Sequence, residues 1–505
     1  MTGYWHVTNK HGDAFYEWFE KTLKVRCPYV IFSDAATMPI LKKYRGDLPT
    51  VYIERELSDF ETQKYASRMK TDPLHCPSVH LNMIWNEKVY LVQEAARLNP
   101  FQTEFFTWID AGLSVLRDSD DDLSTSWPNV RFETLPKNKF VYCSSDTLDI
   151  NKVNTREYYH HVSGGIWTLH NDMIDHFTNM YTRYLNRLIS DKNIWTEQVI
   201  LTHMLKDTPE LFHKLCDGYG MSFHYFQTHF YDFIEIGTSD FDTEIQKRDG
   251  RVGISVEPVK YYLNNLPNIT GCKKLHLAIS DYNGTTDVYS LPEQEIRNHR
   301  LPHYLKGCNS IGKHHPTVLK VLNERNIDTT IIRKETISCK TLGTFLETEN
   351  IGVFFLKIDT EGHDVAILRA FLAEEPENER LPYTILFETN TLSQQSSVDD
   401  IVARFETLGY DVKYRSHDTF LKRNLRKIFR KGHFTSALPN YYIEDYPKGY
   451  NPKRLPHKNN LEDAKAYCVK HNCSGVTYQN GKYEVRSGKY LEYYGKQSVF
   501  SWVYI

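Results

Sequence analysis

The sequence has no Cys-x-x-Cys pair, and its nine cysteines are scattered over 505 residues. An odd, dispersed set of thiols gives little support for a disulfide framework and points to a reducing compartment. Long hydrophobic runs are missing too: stretches such as Val353 to Leu356 are strand-sized, so no transmembrane segment is expected. Met1 to Lys10 lack the charged start and apolar core of a signal peptide, which makes cytoplasmic residence the expectation. The sequons at Asn268, Asn283 and Asn472 then carry no glycan. There is little surplus of one charge. A net charge of -3 argues against a partner held through phosphate neutralisation, so no nucleic acid is expected. Internal repeats and low-complexity tracts are absent.

What is present is ordinary globular material, 40% hydrophobic and 25% charged, in a chain too long for one hydrophobic core. Its 34 tyrosines offer faces suited to sugar rings as well as to packing. Residues 1–228 alternate short apolar strands with amphipathic helices. Tyr29 to Phe32 reads as a strand, Trp85, Val89, Val92 and Ala96 share a helical face before the Asn99-Pro100 stop, and Phe105 to Ile109 runs into Asp110. Residues 229–425 place strands at Phe233 to Ile236, Val252 to Val256, Lys274 to Ile279, Val353 to Ile358 and Thr384 to Glu388, several separated by helical patterns. The basic stretch Lys422 to Lys431 reads as a solvated linker or helix face. Residues 436–505 are rich in Tyr and Lys and too few for an easy catalytic core.

An open α/β sheet binds ligands beyond the carboxyl ends of its strands. The central segment puts polar residues at four such ends. Glu235, Gly237 and Ser239 follow the first strand, where glycine lets the backbone approach a ligand. Glu257 ends the second, about twenty residues on, where an acid can bond both ribose hydroxyls of a nucleoside. Asp281 ends the third, within reach of an adenine amino group, and Lys357-Ile358-Asp359-Thr360-Glu361-Gly362 ends the fourth.

These residues, with Leu277-Ala278-Ile279-Ser280-Asp281, Gly307-Cys308-Asn309-Ser310 and Phe355 to Asp364, resemble the FkbM-type methyltransferases that use S-adenosylmethionine (SAM). The resemblance implies a Rossmann-like fold, SAM as donor and a hydroxyl on a sugar or similar moiety as acceptor. Asp359, Glu361 and His363 are then the candidates for the base that such a hydroxyl needs. Phe241 stands where these enzymes often carry a second glycine, and its bulk would reshape the methionine pocket.

The first segment resembles the HtrL/YibB (WlaTC) family, related to GT-A glycosyltransferases. The resemblance is carried by Asp72-Pro73-Leu74-His75, Ile84 to Lys88, Asn99-Pro100-Phe101, Phe106 to Gly112, Ser163-Gly164-Gly165 and Trp195 to Gln198. It implies a nucleotide-sugar donor, with Asp110 holding Mn2+ or Mg2+ against the diphosphate, Lys88 approaching the same phosphates, and Gly164-Gly165 letting an acceptor lie on the backbone. Glu197 would act as base or orienter. GT-A enzymes usually show Asp-x-Asp, whereas this chain has Asp110-Ala111-Gly112, so a metal there needs a further ligand, for which His213 and His224 are candidates. The last segment, with Cys468, Cys473 and a helix over Leu461 to Lys470, looks somewhat like a PAN/apple-type module. It reads as a small α+β cap that binds glycan or packs on the methyltransferase. The whole reads as an α/β protein: a GT-A-like domain, a Rossmann-like SAM domain and that cap. Its function would be glycan synthesis by glycosyl transfer and sugar O-methylation. The rival is a monofunctional methyltransferase whose first domain is a glycan-binding scaffold.

Overall fold

Short runs rich in Val, Ile and Phe, bounded by turn residues, become strands, and the chain uses them to build two sheets in succession. The computed structural model describes residues 1–505 apart from 10, 13, 118, 120–122, 124–125, 153–158, 191–195, 238, 391, 452–458 and 496–497. Trp195 and Thr238, within two of the motifs above, lie outside the described residues. β1 (Thr2–Gly3), β2 (Tyr29–Ser33) and β3 (Thr50–Glu54) pair in parallel in that order. β4 (Phe105–Ile109), β5 (Phe140–Ser144), β6 (Val162–His170) and β7 (Phe212–Asp217) form a sheet ordered β4-β6-β5-β7, in which only β6 is reversed. The Ile109 amide donates to Met1 O at 2.9 Å and joins β4 to the start of β1. The combined order is β3-β2-β1-β4-β6-β5-β7, and its direction of travel reverses between β1 and β4. The helix Val79–Leu98 packs beside this point. Ser78 Oγ caps its start by accepting from the Leu81 amide at 3.1 Å, and Asn99, at φ 34°, ends it before Pro100.

The central segment repeats the plan. β8 (Phe230–Ile236), β9 (Gly253–Val256) and β10 (Cys272–Leu275) are parallel neighbours. The expected strand Lys274 to Ile279 is in fact two. After β10 the chain leaves the main sheet, and β11 (Ala278–Ser280) joins β12 (Gly284–Ser290), β13 (Ser310–Ile311) and β14 (Arg333–Thr341) in a side sheet ordered β11-β14-β12-β13. β15 (Gly352–Ile358), β16 (Thr384–Glu388), β17 (Tyr410–Arg415) and β18 (Asp418–Arg423) complete the main sheet as β10-β9-β8-β15-β16-β18-β17, with β18 antiparallel to both neighbours. Its direction reverses between β8 and β15. Residues 291–332 form a small insertion with its own core of Leu291, Ile296, Leu305, Val318 and Leu322.

The last segment has the expected α+β character: the helix Leu461–Lys470 with strands Leu438–Pro439, Phe500–Val503, Gly475–Gln479 and Lys482–Arg486. Its packing is wider than expected. Tyr478, Phe500 and Trp502 share a core with Trp127, Phe223 and Phe226 of the first domain, while Leu438, Tyr441 and Val503 share one with Tyr383 and Leu425 of the central domain. At the meeting point lies Asp232, 1% exposed, which ion-pairs with Arg131 at 2.8 Å and accepts from the Tyr441 hydroxyl at 3.0 Å. The basic stretch is packed at its start and exposed at Arg426, Lys427 and Lys431. Arg423 is buried on Asn378, and Lys422 pairs with Glu492 at 2.6 Å. Among the described residues no helix is long and apolar enough to cross a membrane, and all nine cysteines are free thiols.

Candidate active site

The reversals between β1 and β4 and between β8 and β15 leave a crevice at the carboxyl ends of the strands on either side, where open α/β sheets bind ligands. Beyond β8, Gly237 takes φ 77°, and a Cβ there would stand 2.5 Å from Asp359 O, so glycine lets this turn press against the end of β15. Glu257 is 2% exposed at the end of β9 and accepts from the amides of Ser239 at 2.9 Å and Val259 at 2.7 Å. Burial pushes its carboxyl up to about 7. Glu235 differs from expectation. It is fully buried, and its carboxylate accepts from Ser255 Oγ and from the amides of Glu244 and Ile245, so it anchors the loop and is not turned to a ligand. Phe241 does not fill the crevice turn. Its ring is 45% exposed and lies against Gly307, where a Cβ would come within 2.9 Å.

At the end of β15, Asp359 is pushed up to about 7 by burial and by the neighbouring carboxylates of Asp364 and Glu361. Glu361 adopts φ 53° and Gly362 φ 92°, a left-handed pair that turns the chain sharply before the helix Asp364–Ala373. Asp364 is fully buried; it accepts from the Thr360 amide at 2.9 Å and the Glu388 amide at 2.8 Å, tying the ends of β15 and β16 together. Glu388 is pushed up to about 8 by burial and by Glu361, Asp364, Asp359 and Asp418. His363 packs at the end of β11. Its Nε2 lies 2.8 Å from Ser280 Oγ and 3.6 Å from Asp281 Oδ1.

Glu388, Asn309 and His315 were not legible as site residues. Asn309 Nδ2 donates to Ser239 Oγ at 3.2 Å, and His315 Nε2 lies 3.3 Å from Glu361 Oε2. Only the quoted Gly307-to-Ser310 string and the strand ending at Glu388 hinted at two of them; the His-Pro pair at 315–316 reads simply as a helix start. Cys308, His315 and Glu361 offer ligand atoms within 4.8 Å of one another. However, His315 Nδ1 accepts from the Thr317 amide at 3.2 Å, which leaves the proton on Nε2, facing Glu361. That tautomer makes a donor to a carboxylate, not a metal ligand.

The first crevice encloses about 490 Å³ and is lined by Trp5, Lys88, Trp108, Asp110, Glu197 and Tyr219 among others. Lys88 is not directed at open space for a phosphate. It is 2% exposed, and its Nζ lies 2.7 Å from Asp110 Oδ1, 2.6 Å from Glu197 Oε1 and 3.1 Å from Gly164 O. The two carboxylates hold the buried ammonium charged. Asp110 Oδ1 also accepts from Trp108 Nε1 at 2.7 Å. The glycines serve packing: a Cβ on Gly164 would stand 2.2 Å from Glu197 Oε1, and one on Gly165 3.1 Å from the Tyr219 ring. Neither candidate histidine lies in this crevice. His224 is 1% exposed and meets Trp502 edge-on at 5.5 Å, and His213 stands on β7 opposite Val141. The residues present therefore do not fit a divalent ion at Asp110.

No curated protein matches the chain. Residues 2–230 match the model of the family described as Bacterial protein of unknown function (HtrL_YibB), and residues 234–412 match that of the Methyltransferase FkbM domain. The chain thus carries an HtrL_YibB domain followed by an FkbM methyltransferase domain.

Proposed function

We propose that the central domain transfers a methyl group from SAM to a hydroxyl of a sugar or similar acceptor. The observation that carries this is a pair of buried polar atoms at the β8/β15 reversal with no hydrogen-bond partner among the described residues: Asn309 Oδ1 and Glu388 Oε2. Such atoms are costly unless a ligand meets them. In this reading Gly237 lets the backbone approach SAM, Glu257 takes the ribose and Asp281 the adenine. When bound, SAM supplies an electrophilic methyl on a sulfonium. The chain's own part is to orient the acceptor hydroxyl and accept its proton. Asp359 takes that role, because its carboxyl sits near neutrality at the strand end beside the acceptor region. Glu361 is held by His315, and His363 with Asp281 belongs to the adenine side.

For the first domain the reading is glycosyl transfer from a nucleotide sugar on a GT-A-like fold, supported by an aromatic-walled cavity at the β1/β4 reversal with a buried acid, Glu197, in its wall. The scaffold alternative draws on the engagement of Lys88 by both carboxylates. The apple-like cap serves packing in this reading, and the free thiols agree with a cytoplasmic setting. The methyltransferase reading is tested by calorimetry of SAM binding. Glu257→Ala should cost about 1.5–3 kcal/mol, the range for charge-assisted hydrogen bonds. Unchanged affinity in a folded variant would remove the ribose assignment.

A further inference from the structure

An ammonium ion carries three N–H donors and no acceptor. In the first crevice those of Lys88 are matched by three oxygens: Asp110 Oδ1, Glu197 Oε1 and Gly164 O, at 2.7, 2.6 and 3.1 Å. This is the position at which a divalent ion would have to bind the two acids. Mg2+ and its relatives demand several oxygen ligands at about 2.0–2.2 Å, and an ion drawn to these carboxylates would lie against a like charge already in place. The packing keeps the arrangement closed, since Gly164 lacks the Cβ that would collide with Glu197 Oε1, and Trp108 Nε1 holds Asp110 from the side. One acceptor is left over. Glu197 Oε2 is enclosed in the cavity wall, on a residue 1% exposed, and no group among the described residues donates to it. The ammonium's three donors are all taken, so the leftover oxygen can be met only by a donor brought from outside, such as a hydroxyl. The half-buried Trp85 lines the same cavity, and Trp5 and Trp108, 2% and 1% exposed, back its wall.

We propose that this crevice is a metal-free carbohydrate centre. The Lys88 ammonium stands permanently in the place of a divalent ion, and Glu197 Oε2 receives a hydroxyl of a neutral sugar ring packed against Trp85. The inference draws on the glycosyl-transfer reading for the sugar only, because the cation assignment is independent of it.

The test uses the full chain. Mn2+ binding followed by electron paramagnetic resonance should show no difference between the wild type and Asp110→Asn. Lys88→Ala vacates the two carboxylates and should gain an Mn2+ site at least tenfold tighter than any at that position in the wild type, and the gain should vanish in Lys88→Ala/Asp110→Asn. A wild-type site lost in Asp110→Asn overturns the proposal, and so does a folded Lys88→Ala that gains none. Should Lys88→Ala not fold, the wild-type comparison with Asp110→Asn decides alone. For the sugar, saturation-transfer NMR with free D-glucose and D-galactose in excess EDTA should give binding that Glu197→Gln weakens at least tenfold. Binding that requires Mn2+, or no binding of either sugar at millimolar concentration, removes the hydroxyl assignment. Sugar binding without hydrolysis of any nucleotide sugar would end the glycosyl-transfer reading and leave this one standing.

Discussion

A carboxyl group works as a base near neutral pH only when its surroundings hold the proton on longer than water does, and Asp359 meets that condition through burial and through Asp364 and Glu361. The sign follows directly. The base is active when ionised, so methyl transfer should rise with pH through about 7. Replacing Glu361 by glutamine removes a negative neighbour, lowers the Asp359 pKa and moves the rising limb to lower pH. Asp359→Asn should depress kcat by roughly 10²–10⁴-fold with little change in SAM affinity. A kcat profile that stays in place in Glu361→Gln, measured from pH 5.5 to 9, would dissociate the limb from Asp359. At this scale the sequence was informative about which residues cluster and less so about which way they face. Glu235 and Glu257 both end strands, yet one clamps a loop and the other borders the crevice. The difference lies in the partners Ser255, Glu244 and Ser239, which a strand-end pattern does not specify.

Elements whose burial is decided by their own residues were readable, and those decided by distant partners were not. β2, β4 and β16 fall on the expected apolar runs, because a strand buried in a doubly wound sheet is apolar along its length. β10 and β11 read as one strand because nothing local says where the chain changes sheets. That is set by β14, whose Cys339–Thr341 pairs with Ala278–Ser280 some sixty residues away. The insertion around residues 291–332, which brings Asn309 and His315 to the site, went unread for the same reason: its small core forms only against itself. One prediction belongs to the elements. Asp364 bonds the ends of β15 and β16 from the first turn of a helix, so Asp364→Ala should lower stability by about 3 kcal/mol in urea unfolding. Asp364→Asn, which keeps one acceptor, should recover part of it. A loss below about 0.5 kcal/mol would show that strand pairing alone aligns the two ends.

The whole molecule is closed by its last seventy or so residues, which face both larger domains at once. Arg131 comes from the first domain, Asp232 from the second and Tyr441 from the third, and all three are buried together. Removing one partner of such a pair leaves an uncompensated charge, typically at a cost of about 3–5 kcal/mol. Arg131→Ala should therefore destabilise both larger domains together, so that tryptophan fluorescence and loss of SAM binding follow one shared transition. Two well-separated transitions in the wild type would refute the coupling. The domain order was legible from sequence, but this coupling was not, since it depends on side chains three hundred residues apart. It also sets a timetable for biosynthesis. The first domain leaves the ribosome with the core that holds Trp127, Phe223 and Phe226 incomplete, because its members Tyr478, Phe500 and Trp502 are still unmade. At about 5–20 residues per second that interval lasts roughly 15–55 s, long enough for a nascent chain to find a chaperone or another nascent chain before it finds its own end.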